Sequence, residues 1–285
     1  MSRLIVNADD FGLTSGVNRA ILELHRSGVL TSTTLMARAQ ATGEALDLAL
    51  QTPSLGVGCH VVLVDGEPIL PPESVSSLID PHTGRFFTTL GQFLPRLLAG
   101  RIRPAEIEAE ASAQIASLQQ QGLRLTHIDT HKHTHMFPRV LRAVLRAASR
   151  HGIHAVRNPF EPEWAVHATP RAGFVRPAEV FLLRRLGPFF HRLIRTEGFT
   201  TTSGTIAVAG TGVLDAAMVR SLLAQLPPGT WELVTHPGYN DDDLAHIRTR
   251  LRASREIERQ ALAAIVEFPA VELISFGALG NAATN

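Results

Sequence analysis

The chain is short of several things, and each shortage closes off an explanation. It has one cysteine, Cys59, in 285 residues, so no intrachain disulfide can form, and a single thiol fits a reducing cytoplasm. It has almost no net charge: 27 Lys and Arg stand against 26 Asp and Glu, a formal +1. The basic excess of a nucleic-acid-binding surface is missing, so nucleic acid is not an expected partner. No window reaches 18 uninterrupted apolar residues, the least that would cross a bilayer. The first apolar run starts within a few residues of Met1, leaving no room for a cleavable signal sequence. The expected location is therefore the cytoplasm. Repeats and low-complexity tracts are also lacking. A chain of this length buries about 75% of its unfolded surface, so it needs neither a disulfide nor a structural metal to fold.

What is present is histidine, thirteen of them, several clustered at the ends of apolar runs. Short β-branched runs at 3–8, 31–37, 55–61, 124–129, 153–157, 203–208, 231–235 and 271–276 alternate with helical patterns near 15–27, 40–51, 88–99, 104–121, 138–150, 178–196, 213–225 and 243–266. That alternation predicts a parallel sheet with crossover helices. About eight strands predict an α/β fold of the TIM-barrel type, an irregular (β/α) barrel over residues 1–285 as a single domain. A doubly wound open sheet is the alternative. Two long insertions interrupt the pattern, near 62–87 and 158–199. The first has no clear periodicity and fits a lid or binding loop. The second contains Phe181–Arg195, where aromatic and basic residues mix. It reads as a core-facing helix with solvated arginines. The rival is a membrane-surface helix whose arginines meet anionic headgroups while Phe189 and Phe190 dip inward.

In a parallel barrel, residues just past the carboxyl ends of the strands converge on one face. Asp9 and Asp10 end the first predicted strand, His60 the third, Asp129 and His131 the fourth, and His236 the seventh. Adjacent carboxylates repel, so such a pair usually has a cation or shares a proton. One carboxylate and two imidazoles suit a divalent metal with positions left for water and substrate. A second carboxylate beside the ion can take the water's proton, and a histidine from another strand can protonate a departing amine. His131, His133 and His135 alternate, so an extended chain would put them on one face; which of them binds metal stays open at this point. Cys59 points opposite to His60 and reads as core. Asp241-Asp242-Asp243 reads as a loop and helix start.

These motifs resemble the YdjC/ChbG family of carbohydrate deacetylases. The resemblance is carried by Asn7-Ala8-Asp9-Asp10-Phe11-Gly12, Thr31-Ser32-Thr33-Thr34, Gly58-Cys59-His60, Thr126 to His135, Arg157-Asn158-Pro159 and His236-Pro237-Gly238. It implies a barrel that removes acetyl groups from N-acetylated amino sugars with one divalent ion, Mg2+ or Zn2+. It further implies that Asp10, His60 and His131 hold the metal, that Asp9 is the base, and that His236 is a proton donor or oxyanion-side residue. Arg157, His133, His135 and Asp129 are then substrate-binding residues or supports of the ligands. Val62-Val64-Asp65-Gly66 with Pro71-Pro72-Glu73 is similar to the hopanoid-biosynthesis-associated, HpnK-like branch, which implies a glycolipid substrate such as an N-acetylglucosaminyl hopanoid and peripheral contact with the inner face of the membrane. A homo-oligomer is compatible with the sequence. The competing classes are a metal-dependent oxygenase, since two histidines and a carboxylate also form a facial triad, a phosphoesterase, and a non-enzymatic sugar-binding protein on the same fold.

Overall fold

Runs such as Leu4-Ile5-Val6 are apolar at every position because a parallel strand is covered on both faces; all three side chains are fully buried. A computed structural model describes residues 2–169, 183–265 and 271–279. Seven strands are assigned: β1 (Ser2–Phe11), β2 (Ser32–Leu35), β3 (Gly56–Val61), β4 (Ile128–Thr130), β5 (Gly204–Ile206), β6 (Gly229–Thr235) and β7 (Val271–Leu273). Hydrogen-bonded neighbours run β4-β3-β2-β1-β6-β5, and every pair is parallel. The ends of that path are joined by parallel bridges, Ile128 to Val156 and Ala155 to Thr200. Thr200 leads into β5, so the pairing closes into a circuit and the barrel expectation holds. β7 adds only to the first three residues of β1.

Helices wrap this sheet: α1 (Ser15–Arg26), α2 (Thr42–Leu50), α3 (Leu90–Leu98), α4 (Pro104–Gln120), α5 (Pro138–Arg150), α6 (Glu163–His167), α7 (Gly187–Thr196), α8 (Ala216–Ala224), α9 (Asp242–His246) and α10 (Arg252–Ala263). α1 starts at Thr14, whose hydroxyl accepts from Val17 N. α5 follows the amphipathic rule closely: Val140, Leu141, Val144 and Leu145 are buried, whereas Arg139, Arg142, Arg146 and Arg150 are exposed. Among the described residues no helix is long and apolar enough to cross a membrane.

Three sequence expectations change. The strand at 153–157 is reduced to bridges, and Pro159, which has no N–H, cannot extend the ladder. The helix at 243–266 is broken into α9 and α10; the Thr249 hydroxyl accepts from Leu251 N, a local turn that competes with helix continuation. The helix at 178–196 is seen as α7 after a 3₁₀ turn at Arg184–Leu186, and its residues 178–182 lie outside the described residues. Phe190 of α7 is fully buried and Phe189 packs against the core beneath Arg142. Phe190 is committed to the core and half-buried Phe189 packs against it, which is the core-facing arrangement.

The 62–87 segment is fixed by a polar stripe on α4. Gln114 bonds Val62 N and O, Glu110 accepts from Ile69 N and Leu70 N, and Glu106 accepts from Ser77. These three residues recur every four positions and so share one helix face. At the rim, Lys132 Nζ meets Asp65 Oδ2 at 2.7 Å. The segment is thereby a wall beside the His131 turn.

One glycine is dictated by packing. A Cβ on Gly58 would stand 2.6 Å from Cε1 of His127, whose buried ring stacks on Phe276 with centroids 3.8 Å apart. Gly58→Ala should cost about 1–3 kcal/mol, the usual penalty for overpacking, read as a lower denaturation midpoint; an unchanged midpoint would show that the ring yields freely.

Candidate metal centre and active site

In a regular strand Asp9 and Asp10 would point to opposite faces. The register of β1 against β2 shifts between Ala8 and Phe11, and Asp10 takes φ 65°. This left-handed residue costs about 1–3 kcal/mol for a non-glycine. It breaks the alternation and brings both carboxylates to the carboxyl end of the barrel.

The histidine segment departs from the extended conformation that its alternation predicts. His131 to Met136 is a 3₁₀ turn, not an extended strand, with Lys132 at φ 56° and His133 at φ 52°. Thr130 is the reason: its hydroxyl accepts from His135 N and from Thr134 Oγ1, curling the chain just after β4. The three histidines therefore part company. His131 faces Asp10. His135 is fully buried, with Nδ1 against Thr130 Oγ1 and Nε2 3.2 Å from the Arg157 carbonyl, so it braces the backbone. His133 is half-buried, its Nδ1 lacks a hydrogen-bond partner, and burial followed by the field of Arg157 pushes its pKa down to about 3. It is a neutral imidazole at the rim.

Asp10 Oδ1, His60 Nε2 and His131 Nδ1 form a near-equilateral triangle. The carboxylate oxygen is 3.4 Å from His60 and 3.3 Å from His131, and the two ring nitrogens are 3.2 Å apart. Ligand atoms about 2.1 Å from one cation, at tetrahedral or octahedral angles, lie roughly 3.0–3.4 Å from one another. Asp10 Oδ1 is buried and has no hydrogen bond among the described residues, which in a protein interior calls for an explanation. The donor set and its spacing thus fit a divalent ion. His60 is oriented as such a ligand should be: its Nδ1 lies 2.8 Å from Asp129 Oδ1, leaving Nε2 for a metal.

A second group of ligand type, Asp9, His60 and Asp129, is already neutralised from within. The Arg157 guanidinium is fully buried and donates to both oxygens of Asp9 at 2.8 and 2.6 Å, to Asp129 Oδ2, and to Glu232 Oε1. Asn7 Nδ2 and Thr34 Oγ1 also donate to Asp9 Oδ1. Burial opposes ionisation of Asp9, but Arg157 outweighs it and holds the carboxyl far below the usual range. Arg157 is therefore spent on the protein and is not a phosphate clamp. Three carboxylates sharing one guanidinium leave excess negative charge, and Glu232 absorbs it. Burial first, then Asp9 and Asp129, raise Glu232 to about 7 against the pull of Arg157.

Facing Asp9 across the centre is His236, with Nε2 3.8 Å from Asp9 Oδ2, too far for a direct hydrogen bond. Glu258 of α10 accepts from His236 N at 2.6 Å and lies 3.7 Å from its Nδ1. Burial disfavours the imidazolium, but Glu258, Asp9 and Asp10 raise the pKa of His236 above its ordinary value. An imidazole whose protonated form is favoured and an ionised aspartate thus face each other over the metal triangle. Arg255, also on α10, pairs with Asp10 Oδ2. Sequence reasoning missed Glu232, Arg255 and Glu258. The available signal was a charge in an apolar position: Glu232 interrupts the apolar β6, and Arg255 and Glu258 fall on the buried stripe of α10 with Ala261 and Leu262.

Fold and cluster define an α/β-barrel protein with a carboxylate–imidazole centre at the carboxyl ends of its strands. The family model described as YdjC-like protein matches residues 3–265, and the chain belongs to that family. It is 31% identical over 282 residues, 98% of this chain and 100% of the relative, to a carbohydrate deacetylase of Brevibacillus brevis. It is 30% identical over 262 residues, 92% and 91% of the two chains, to a carbohydrate deacetylase of Thermoanaerobacter pseudethanolicus. A chitooligosaccharide deacetylase of Salmonella schwarzengrund is 38% identical over 154 residues, 53% of this chain and 57% of that one. Among solved structures, an Enterococcus faecalis protein described as a candidate for cellobiose-phosphate cleavage superposes with a TM-score of 0.75 at 25% identity, covering 98% of both chains.

The Glu232 carboxyl offers a test of the charge balance. Its pKa rises from 4.5 to about 7 on folding, so between those values the folded chain binds more protons than the unfolded one. Its contribution to stability is present in full below about 4.5 and is lost as pH rises to about 7. Glu232→Gln keeps an acceptor for Arg157 but cannot take up the proton. Its melting temperature should fall less than that of wild type across this window; parallel curves would refute the assignment.

Proposed function

We propose that this chain is a metal-dependent carbohydrate N-deacetylase that hydrolyses the acetamide of an N-acetylated amino sugar to acetate and the free amine. The observation that carries the reading is the triangle of Asp10, His60 and His131 with Asp9 and His236 on either side of it. The curated relatives named as carbohydrate and chitooligosaccharide deacetylases point to the same bond.

A divalent ion held by Asp10, His60 and His131 supplies a Lewis acid and a water of lowered pKa. The protein's own groups do the rest. Asp9 is ionised at any working pH because of Arg157, and it accepts the proton of the attacking water. The pairing lowers its basicity, and in exchange fixes both oxygens in place. The water oxygen bonds to the acyl carbon and the C–N bond breaks. His236, whose protonated form Glu258 favours, gives its proton to the departing nitrogen. Half-buried His133 and the wall of residues 62–87 flank the space where the sugar would lie.

An oxygenase uses a similar triad but has no task for Asp9 or for His236 facing it across the centre. A phosphoesterase would need a second metal or free basic clamps near the rim; Arg157 already occupies the second carboxylate cluster. A sugar-binding protein without catalysis would not need His236 and Asp9 poised across the metal site.

Asp9→Asn should retain metal and abolish turnover, whereas Asp10→Asn should lose metal. Acetate release from a panel of N-acetylated oligosaccharides and glycolipids, with and without chelator, tests the proposal and ranks soluble against lipid-linked acceptors. Full activity in Asp9→Asn would remove the base assignment, and acetate release indifferent to chelator would remove the metal.

A further inference from the structure

Arg255 is 1% exposed, yet it carries a full positive charge, and among the described residues its guanidinium bonds Asp10 Oδ2 through Nη2. Its Nε and Nη1 are buried without a hydrogen-bond partner among the described residues. Burying a guanidinium costs several kcal/mol unless it is well paired, so an apolar side chain would serve packing better. The partner it does have is the carboxylate read above as a metal ligand. With Oδ2 taken, Asp10 has only Oδ1 to offer, and Oδ1 is the atom that completes the triangle with His60 and His131.

The surroundings hold the arginine in place. A Cβ on Gly238 would lie 3.2 Å from Arg255 Cδ and 3.3 Å from its Cβ, so the Pro237-Gly238 loop rests directly on the arginine stem. Gly238 N donates to the Arg255 carbonyl. One turn along α10, Glu258 accepts from His236 N. The same helix face therefore reaches the metal ligand through one residue and the proton donor through another.

We infer that Arg255 is a positioning residue that makes Asp10 a one-oxygen ligand, holding Oδ1 toward the imidazoles and keeping Oδ2 out of the coordination sphere. This rests on the reading of Asp10 as a metal ligand. Without the guanidinium, Asp10 is free to rotate or to bind through both oxygens. The charge that favours its ionised form is lost as well.

The experiment is Co2+ titration of the chelator-treated full chain, following affinity by competition and coordination by the visible absorption band. Arg255→Met should weaken Co2+ binding by about 10–100-fold, the usual loss when a group supporting a ligand is removed, and should shift the band. Arg255→Lys, which keeps the charge but not the planar fork, should fall between the two in affinity. Melting curves in chelator establish that each variant is folded. If Arg255→Met does not fold, Arg255→Lys carries the test through its affinity and band. A folded variant that binds Co2+ as tightly as wild type with the same band overturns the inference. Wild-type protein that binds no Co2+ overturns instead the metal reading on which it stands.

Discussion

The buried guanidinium of Arg157 is the constraint around which the barrel end is organised. It sits on the short segment that closes the circuit between β4 and β5, and it binds Asp9 of β1, Asp129 of β4 and Glu232 of β6. Four separate stretches of backbone thus meet at one cation. Such a cluster is a poor way to gain stability, because desolvating the charges costs about as much as their attraction returns. Its value lies in fixing positions. Removing the arginine would leave three carboxylates buried together with no counter-charge, and their side chains would repel one another.

This arrangement divides the acidic groups into two sets. Asp9 and Asp129 are compensated by the protein, while Asp10 is compensated on one oxygen only, by Arg255, and leaves the other facing two imidazoles. Of the two clusters with ligand-type atoms among the described residues, only the one at Asp10 is open to a cation without displacing a guanidinium already bonded to its members. The division also separates the roles of the adjacent aspartates. One has an unsatisfied oxygen aimed at ring nitrogens, and the other has both oxygens held where a water could be met.

Much of this was legible in the chain because the chemistry sits at strand ends, where a polar residue after an apolar run is conspicuous. Asp9, Asp10, His60, Asp129, His131 and His236 all stand at such points. Backbone detail was less legible. The alternation of His131, His133 and His135 suggests a strand, but Thr130 curls the segment with its hydroxyl and sends the rings in different directions. The left-handed turn at Asp10 leaves no compositional trace, since aspartate is common in strand-end turns of every kind. Arg255 and Glu258 were hidden for another reason. Arg255 is 245 positions from Asp10, and in a helical stretch rich in Arg and Glu a buried charge looks like a solvated one until its phase against the apolar stripe is noticed.

The electrostatics also account for why the site can face solvent without collapsing. The ionisable groups form a chain of neighbours: Glu232 beside Arg157, Arg157 beside Asp9, and Asp9 across from His236, which Glu258 approaches from behind. Preorganised charge of this kind requires no rearrangement as a reaction proceeds. The wall of residues 62–87, bonded to α4 at Glu106, Glu110 and Gln114, limits solvent on the Lys132 side. The helix whose Arg255 bonds Asp10 also carries Glu258, which accepts from His236 N, so one element touches both sides of the centre.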